Sequence, residues 1–489
     1  MRTRLLFFSL MLIIASAQAQ PFSRDTGFHL NFDFFEYTSS GRVSGVIHNP
    51  GGKLLVYGSF KSLTGGYRAG LVQFFPDGQI DPSFLGSPSI FAMESVYNVV
   101  PANYGYWLRY SGQIMVKLTE TGQWLDQDYT TNTSAAFIGC ENFKPIIFQD
   151  GSLLIGGDFC FYPPHNPTTL LSPLKRILPD GRRDTTFQHN TNELIGQLLR
   201  YDNSHILMGG WFTEYDSIPI NRMCRIDTLG NLDTTFHSIF TSGIPLPLHV
   251  QADGKIIVRN KFTIQGHAGW LGLVRLHPDG SLDSTFNNFN NINIDSGGSV
   301  RTVCPTSDGG YLIGGGFLEY QGVPRSKIVK TDANGFIETQ YFTGAGIGIS
   351  PNPILGSYTY INEISRGPND QYYVAGYFNG FNGDTVQPVI RLNGPLTVGI
   401  EPAVPKKAAV TVYPNPAHDY TTLSWELLLE GTATLIITDV TGREVQKHTI
   451  AAKQGQWVWD TRNAKAGIYF YSITKNGEQL NSGKIAVAK

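Results

Sequence analysis

The 489-residue chain has a formal net charge of −2, with 41% hydrophobic, 12% aromatic and 16% charged residues and 54 glycines. A near-neutral balance gives no electrostatic pull towards nucleic acid or an anionic membrane, so no nucleic-acid partner is expected. The length admits two or more domains with sizeable cores, and many glycines and aromatics with few charges point to strands and tight turns.

In chain order, residues 1–19 read as a secretory signal. Arg2 and Arg4 give the positive end, Leu5 to Ala15 the apolar stretch, and Ala17-Gln18-Ala19 a small-residue cleavage site at Ala17 and Ala19. The apolar run is only about half of the ~20 residues a spanning helix needs. Export permits disulfides among the 4 cysteines. Cys140 and Cys160 lie equidistant from Asp150 in the turn Gln149-Asp150-Gly151, and a hairpin there would bring their sulfurs within bonding reach. Cys224 and Cys304 fall in different repeats and read as buried thiols.

From about residue 22 a single spacing recurs. Phe60, Phe212, Phe262 and Phe317 are each followed 21 residues later by an acid, namely Asp81, Asp233, Asp283 and Glu338; Phe159 and Asp184 are 25 apart. Basic residues Arg225, Arg275, Lys330 and Arg391 stand 13 residues after a Phe. Each unit reads as a strand, an Asp-Gly-type turn, a strand ending in Gly-Gly-x-Phe, a loop, a strand ending in a basic residue, a tight turn and Leu-Asp-x-x-Phe. A fixed period of this kind means one supersecondary unit stacked on its neighbours. Turns such as Pro278-Asp279-Gly280 and Ala333-Asn334-Gly335 supply the positive φ that tight hairpins need.

The Phe anchors, with a degenerate copy running from Lys117 to Tyr129, give seven units. The last stops at Arg391-Leu392-Asn393-Gly394 without its Asp-x-x-Phe, and Asp25-Thr26-Gly27-Phe28 near the front is the missing piece. Half a repeat at each end suits a ring, in which the front strand completes the last blade and removes an exposed edge. The fold expected over 22–396 is therefore all-β, a seven-bladed β-propeller; an open β-solenoid and a six-bladed ring with a disrupted insert are the alternatives. The units resemble the delta-60 repeats of bacterial β-propeller proteins, departing in the second copy, which lacks Gly-Gly-x-Phe, and in the fifth, where Arg259-Asn260 replace the glycine pair. That resemblance implies a fold and no single activity.

Residues 397–407 form a polar linker with Pro402, Pro405, Lys406 and Lys407. From 408 to 489 short alternating runs predict a small immunoglobulin-like antiparallel β-sandwich. Pro414, Asn415 and Pro416 after Tyr413, Gly442 in Asp439-Val440-Thr441-Gly442-Arg443, Gly467 and Tyr469, and Gly483-Lys484 resemble the sorting domain of the type IX secretion system of Bacteroidetes. The resemblance implies passage through the periplasm to a secreted or outer-membrane surface location, the secretion machinery as partner, and attachment to surface lipopolysaccharide after processing in many cargoes.

No catalytic motif, cofactor loop or zinc spacing occurs, so no catalytic residue, cofactor or metal is expected. Acids that recur once per unit read as turn or strand caps, since an active site should break a repeat. Departures from the repeat are the better candidates: Arg259 and Asn260 for an anionic or polar ligand, the loop Pro163-Pro164-His165-Asn166-Pro167 for contacts, and Trp211, Trp270 or Tyr215 for stacking on sugars; a local adjustment with Arg259 reaching to solvent, Pro-rich padding and aromatics packed between sheets are the respective alternatives. A non-catalytic binding or scaffold propeller with an unknown glycan or protein ligand is the expected function. An extracellular polysaccharide hydrolase or lyase, and a purely structural partner in a surface assembly, are the alternatives.

Overall fold

The computed structural model describes residues 21–36, 39–62, 68–84, 95–110, 115–125, 144–157, 173–286, 299–348, 359–395, 409–426, 432–450, 454–475 and 478–488. Ala17, Ala19, Cys140, Cys160 and the loop from Pro163 to Pro167 lie outside these residues. The chain divides into two compact units, Met1–Gly399 and Ile400–Lys489. Among the described residues the regular structure is strands and short 3-10 turns, without an α-helix.

In the first unit, seven antiparallel sheets of one design follow one another among the described residues. Their strands are Arg42–His48, Leu54–Ser62 and Arg68–Phe74; Val96–Ala102, Gly105–Tyr110 and Met115–Leu118; Ile146–Ile147, Leu153–Gly156 and Leu174–Ile177; and Ile195–Arg200, His205–Gly210 and Met223–Asp227. The last three sheets are Leu246–Val250, Ile256–Ile264 and Leu271–Leu276; Val300–Pro305, Tyr311–Gly315 and Ile328–Thr331; and Tyr360–Arg366, Gln371–Tyr377 and Val389–Asn393. The middle strand of each pairs with both flanking strands. A lone bridge adds a fourth, outer segment: Phe74↔Ile80, Leu118↔Trp124, Ile177↔Arg183, Ile226↔Leu232, Leu276↔Leu282 and Thr331↔Ile337. In the seventh sheet that place is taken by the front of the chain, through Arg24↔Leu392.

The correspondence is residue by residue. Asp233, Asp283 and Glu338 each donate their backbone N–H to the basic residue eight positions earlier, at 2.9 Å; Asp25 N–H donates to the Arg391 carbonyl at 2.8 Å. Side chains repeat the pairing: Arg225–Asp233 at 2.6 Å, Arg275–Asp283 at 2.8 Å, Lys330–Glu338 at 2.5 Å and Arg391–Asp25 at 2.7 Å. The Phe three residues after the acid lies over the same guanidinium, 5.4 Å for Phe236, 4.8 Å for Phe286 and 4.7 Å for Phe28. The other carboxylate oxygen of Asp233 or Asp283 accepts the N–H and O–H of the Thr two residues on. Two of these guanidiniums also reach the next sheet, Arg225 donating to the Pro278 carbonyl at 2.6 Å and Arg275 to the Ala333 carbonyl at 2.8 Å. The repeated acid, hydroxyl, aromatic and base are thus one joint between sheets.

Pleating divides the core between neighbours. In the fourth sheet Ile206 packs towards the third and Leu207 towards the fifth; in the fifth, Ile256 packs towards the fourth and Ile257 towards the sixth. Middle and third strands therefore read as continuous apolar runs, and Leu271–Leu276 is buried throughout. A further cluster joins Tyr373, Ala375 and Val389 of the seventh sheet to Val46, Leu54 and Val56 of the first, with Leu30, Phe32 and Phe34 of the front segment between them. The anchors Phe60, Phe212, Phe262, Phe317 and Phe378 are all buried. Gly280 (φ 89) and Gly78 (φ 84) each press on the backbone of the segment before them; a Cβ would collide with the carbonyls of His237 and His29 respectively. His29 stands four residues after Asp25, as His237 does after Asp233.

The second unit has one sheet of Ala409–Tyr413, Tyr420–Glu426 and Gln454–Asp460, and another ordered Glu444–Ile450, Ala433–Asp439, Gly467–Lys475 and Glu478–Val487. Leu423, Trp425 and Trp459 of the first share a core with Leu435, Ile437, Tyr471 and Ile485 of the second.

Candidate functional site

Two constellations remain once the repeat joints are accounted for. The first lies on the opening strands of the sheets, which bond directly to one another. Ile364 N–H donates to Thr302 Oγ1 at 3.1 Å, Arg301 Nη1 to Asn362 Oδ1 at 3.1 Å, Asn362 Nδ2 to the Val43 carbonyl at 2.9 Å, and Val46 N–H to Glu363 Oε2 at 2.9 Å. These contacts link the sixth, seventh and first sheets. Arg259, on the middle strand of the fifth, reaches both ways: Nη2 donates to Gln197 Oε1 of the fourth at 3.1 Å and Nη1 to the Val300 carbonyl of the sixth at 3.3 Å. Its Nε is buried without a partner among the described residues.

Burial, with the neighbouring charge of Arg301 second, depresses Arg259 to about 10. Arg301 is lowered by burial too; Tyr360 opposes the shift and Arg42 adds to it. The Arg301 guanidinium lies 3.9 Å from the Tyr360 ring centre. Burial raises the Glu363 carboxyl, and Tyr57 is raised by burial and then by Glu363. The absence of a side chain at Gly45 is what admits both the Glu363 carboxyl and the Tyr57 hydroxyl, each of which a Cβ there would strike.

The residues singled out in the sequence fare differently. Arg259 braces two neighbouring sheets, and Asn260 takes a glycine place with φ 92. Trp211 and Trp270 are each 42% exposed, but Tyr215 is not a stacking platform: it is fully buried, its hydroxyl bonded to the Gly230 carbonyl. Cys224 and Cys304 are free and buried. Sequence reasoning missed Tyr57, Arg301, Asn362 and Glu363. Tyr57 and Glu363 break the repeat, standing where Gly314 and Thr302 pair in the sixth sheet, and that departure was their available signal.

The second constellation is in the C-terminal unit. Asn415 Nδ2 donates to the Lys484 carbonyl at 3.1 Å, and its Oδ1 accepts Ala486 N–H at 2.8 Å. Ala417 continues the clasp, donating to the Ala486 carbonyl and accepting Ala488 N–H, both at 2.8 Å. Gly483 has the Tyr471 ring where a side chain would be, the nearest carbon 2.6 Å from a Cβ. Tyr469 packs edge-on against Trp459 at 5.1 Å and donates to the Lys465 carbonyl at 2.9 Å. Gly442 (φ 84) closes the turn in which Asp439 Oδ1 accepts Thr441 N–H and O–H. Pro414, within the segment leading to this clasp, lends its carbonyl to Thr421 Oγ1 at 2.8 Å.

Residues 411–488 match the secretion system C-terminal sorting domain; residues 50–84, 203–236, 251–286 and 306–341 match the Domain of unknown function (DUF5122) beta-propeller. The chain carries a type IX sorting domain behind β-propeller repeats. The sorting domain implies an interaction with the type IX secretion machinery and export to the cell surface or beyond. No curated protein sequence matches the chain. Among solved structures, Porphyromonas gingivalis PorZ, an essential bacterial surface component of the type-IX secretion system, aligns at 12% identity over 92% of this chain and 60% of its own, with a TM-score of 0.37. Dimeric latent PorU of the same bacterium aligns at 10% identity over 61% of this chain and 33% of its own, with a TM-score of 0.17. Overlaps this loose transfer neither shape nor activity.

The clasp has a direct test. Asn415→Ala removes two hydrogen bonds to the last strand, each worth about 0.5–1.5 kcal/mol. Amide exchange at Ala486 should quicken about tenfold or more, while amides of the fifth propeller sheet keep their rates. Unchanged exchange at Ala486 would show that the motif Asn does not hold the strand.

Proposed function

We propose that the chain is a non-catalytic binding or scaffold protein of the Bacteroidetes cell surface or medium. Its body is a seven-bladed delta-60 propeller over 22–396, closed by its own front strand and exported through an immunoglobulin-like sorting domain over 408–489. A signal peptide over 1–19 would open the route across the inner membrane, residues 397–407 would serve as linker, and lipopolysaccharide attachment would follow processing. The observation that carries this reading is the use of the repeated acids: Asp25, Asp81, Asp184, Asp233, Asp283 and Glu338 are engaged by bases, turn hydroxyls or backbone N–H groups, which leaves the repeat as scaffold and the unrepeated inner-strand residues as the recognition surface.

Surface protease accessibility tests the export half. The full chain should be cleaved on intact cells, and a chain ending at Lys407 should be protected inside; equal accessibility would refute the route. One observation favours the polysaccharide-acting alternative, the convergence of Glu363 and Tyr57 over Gly45. Glycoside hydrolysis ordinarily uses two carboxyl groups, and Glu363 alone supplies one. Release of reducing or unsaturated sugar ends from polysaccharide by the full chain, lost in Glu363→Gln, would establish that alternative.

A further inference from the structure

We infer that the opening strands of the sixth and seventh sheets, with the middle strand of the fifth, form a binding site for an oxyanion, a carboxylate or phosphate group, centred on Arg301 with Arg259 behind it. The inference rests on the binding-propeller reading and names the class of ligand. Its basis is an imbalance of charge partners. The outer guanidiniums of Arg225, Arg275 and Arg391 each hold a carboxylate within 2.8 Å. Arg259 and Arg301 have no carboxylate within ion-pair distance among the described residues, and their hydrogen bonds go to neutral oxygens of Gln197, Val300 and Asn362. Neutral acceptors orient a guanidinium without neutralising it.

Partial desolvation first, and a like charge second (Arg301 acting on Arg259, Arg42 acting on Arg301), push both side chains towards giving up their protons. Burial pushes the Glu363 carboxyl on the adjoining strand towards its neutral form, which lessens the charge it can set against the two guanidiniums. An entering oxyanion would relieve the repulsion. Arg301 is built to receive one. It is exposed, its plane is held against Tyr360, and Nη1 is fixed by Asn362, while Nε and Nη2 have no partner among the described residues. A planar fork in that state suits two-point binding of carboxylate or phosphate. Arg259, committed to Gln197 and Val300, adds field behind it.

Titration calorimetry of the purified full chain at constant ionic strength, with galacturonate, inorganic phosphate and galactose as probes, tests this. Galacturonate or phosphate should bind saturably, and galactose should not; the first two arms separate a carboxylate from a phosphate source. Arg301→Gln should weaken binding about tenfold or more, and Arg301→Lys should recover only part, since a point charge lacks the fork. Arg301 is exposed, so the melting temperature of both variants should stay near that of the parent, separating lost binding from lost fold. No saturable binding of either oxyanion up to about 10 mM, well beyond useful affinity, overturns the inference. So does binding that survives Arg301→Gln. Galactose bound as tightly as galacturonate would overturn it too, while leaving the binding-propeller reading intact.

Discussion

Deleting residues 21–34 should abolish the cooperative, monomeric folding of the N-terminal unit. The segment contributes Phe22, Leu30, Phe32 and Phe34, all at most 9% exposed. Burying such side chains is worth about 1.5–3 kcal/mol each, so roughly 6–12 kcal/mol is at stake, comparable to the whole stability of a typical domain. Phe22 packs edge-on against Tyr341 and is tilted against Tyr372, at 5.2 and 5.7 Å, so its loss opens the core between the sixth and seventh sheets. The deletion also uncovers the outer strand Val389–Asn393, which now receives and gives backbone hydrogen bonds through Phe22, Ser23 and Asp25. A bare edge of that kind invites pairing between molecules. Gel filtration should find aggregates, and urea should find no sharp transition for the unit. The milder Asp25→Ala removes one half-buried ion pair and should cost only about 1 kcal/mol. A deleted chain that elutes as a monomer with an unchanged urea midpoint would show that the front segment is an ornament and not a strand of the last blade.

That segment was legible because its signature is chemical as well as periodic. In the fourth and fifth sheets Asp-x-x-Phe meets an Arg on the neighbouring strand, and the strand carrying Arg391 lacked a copy after it. The 21-residue spacing was readable for the same reason: acid, ring and base do one job at the joints of the fourth, fifth and seventh sheets, with the turn hydroxyl added in the fourth and fifth. Tyr215 left two readings open, because an aromatic after a Gly-Gly-x-Phe element looks alike whether its ring faces water or packs between sheets; it lies buried with its hydroxyl on Gly230. The inner strands were hard to read for a geometric reason. A bulge interrupts the register between Val43 and Gly45, between Ile195 and Gln197, between Val300 and Thr302 and between Ile361 and Glu363. An extra residue of that kind breaks the two-residue alternation that tells inward from outward positions. Arg301, Glu363 and Tyr57 also come from three different sheets, hundreds of residues apart at the extreme, and only packing of the sheets brings them to neighbouring strands. In the C-terminal unit the reverse holds. Asn415, Gly467 and Gly483 were legible as a motif, and the contacts now give that motif its physical content, a short loop clasping the final strand.

Asp283→Ala should be the most damaging single substitution among the repeat acids, and its cost should shrink as pH falls. The side chain is 2% exposed. One oxygen takes Arg275 Nε at 2.8 Å and Lys255 Nζ at 3.1 Å, and the other takes the N–H and O–H of Thr285 at 3.0 and 2.6 Å. Burial alone would raise this carboxyl, but the hydrogen bonds from Thr285, Lys255 and Arg275 outweigh it and hold it far below the usual carboxylate range. Removing it leaves Arg275, only 5% exposed, without its counter-charge. Breaking a buried pair from one side costs about 3–5 kcal/mol, and the lower figure applies to a pair lying just beneath the surface. A folded pKa below the unfolded one means stabilisation that is fully present above about pH 4 and declines as pH falls towards the folded value. Asp81 and Asp233, the latter lowered to about 2, behave in the same sense, so they add to the acid lability of the repeat. Urea midpoints at pH 7 and pH 2.5 should therefore differ less for Asp283→Ala than for the parent chain, the remainder being set by acids such as Asp81 and Asp233. Asp180→Ala, at an exposed Asp180–Arg182 pair, should match the parent at both pH values. If Asp283→Ala and Asp180→Ala lowered the midpoint equally at neutral pH, the recurrent acid would be a turn former only, and the joint between sheets would have to be held by its apolar contacts alone.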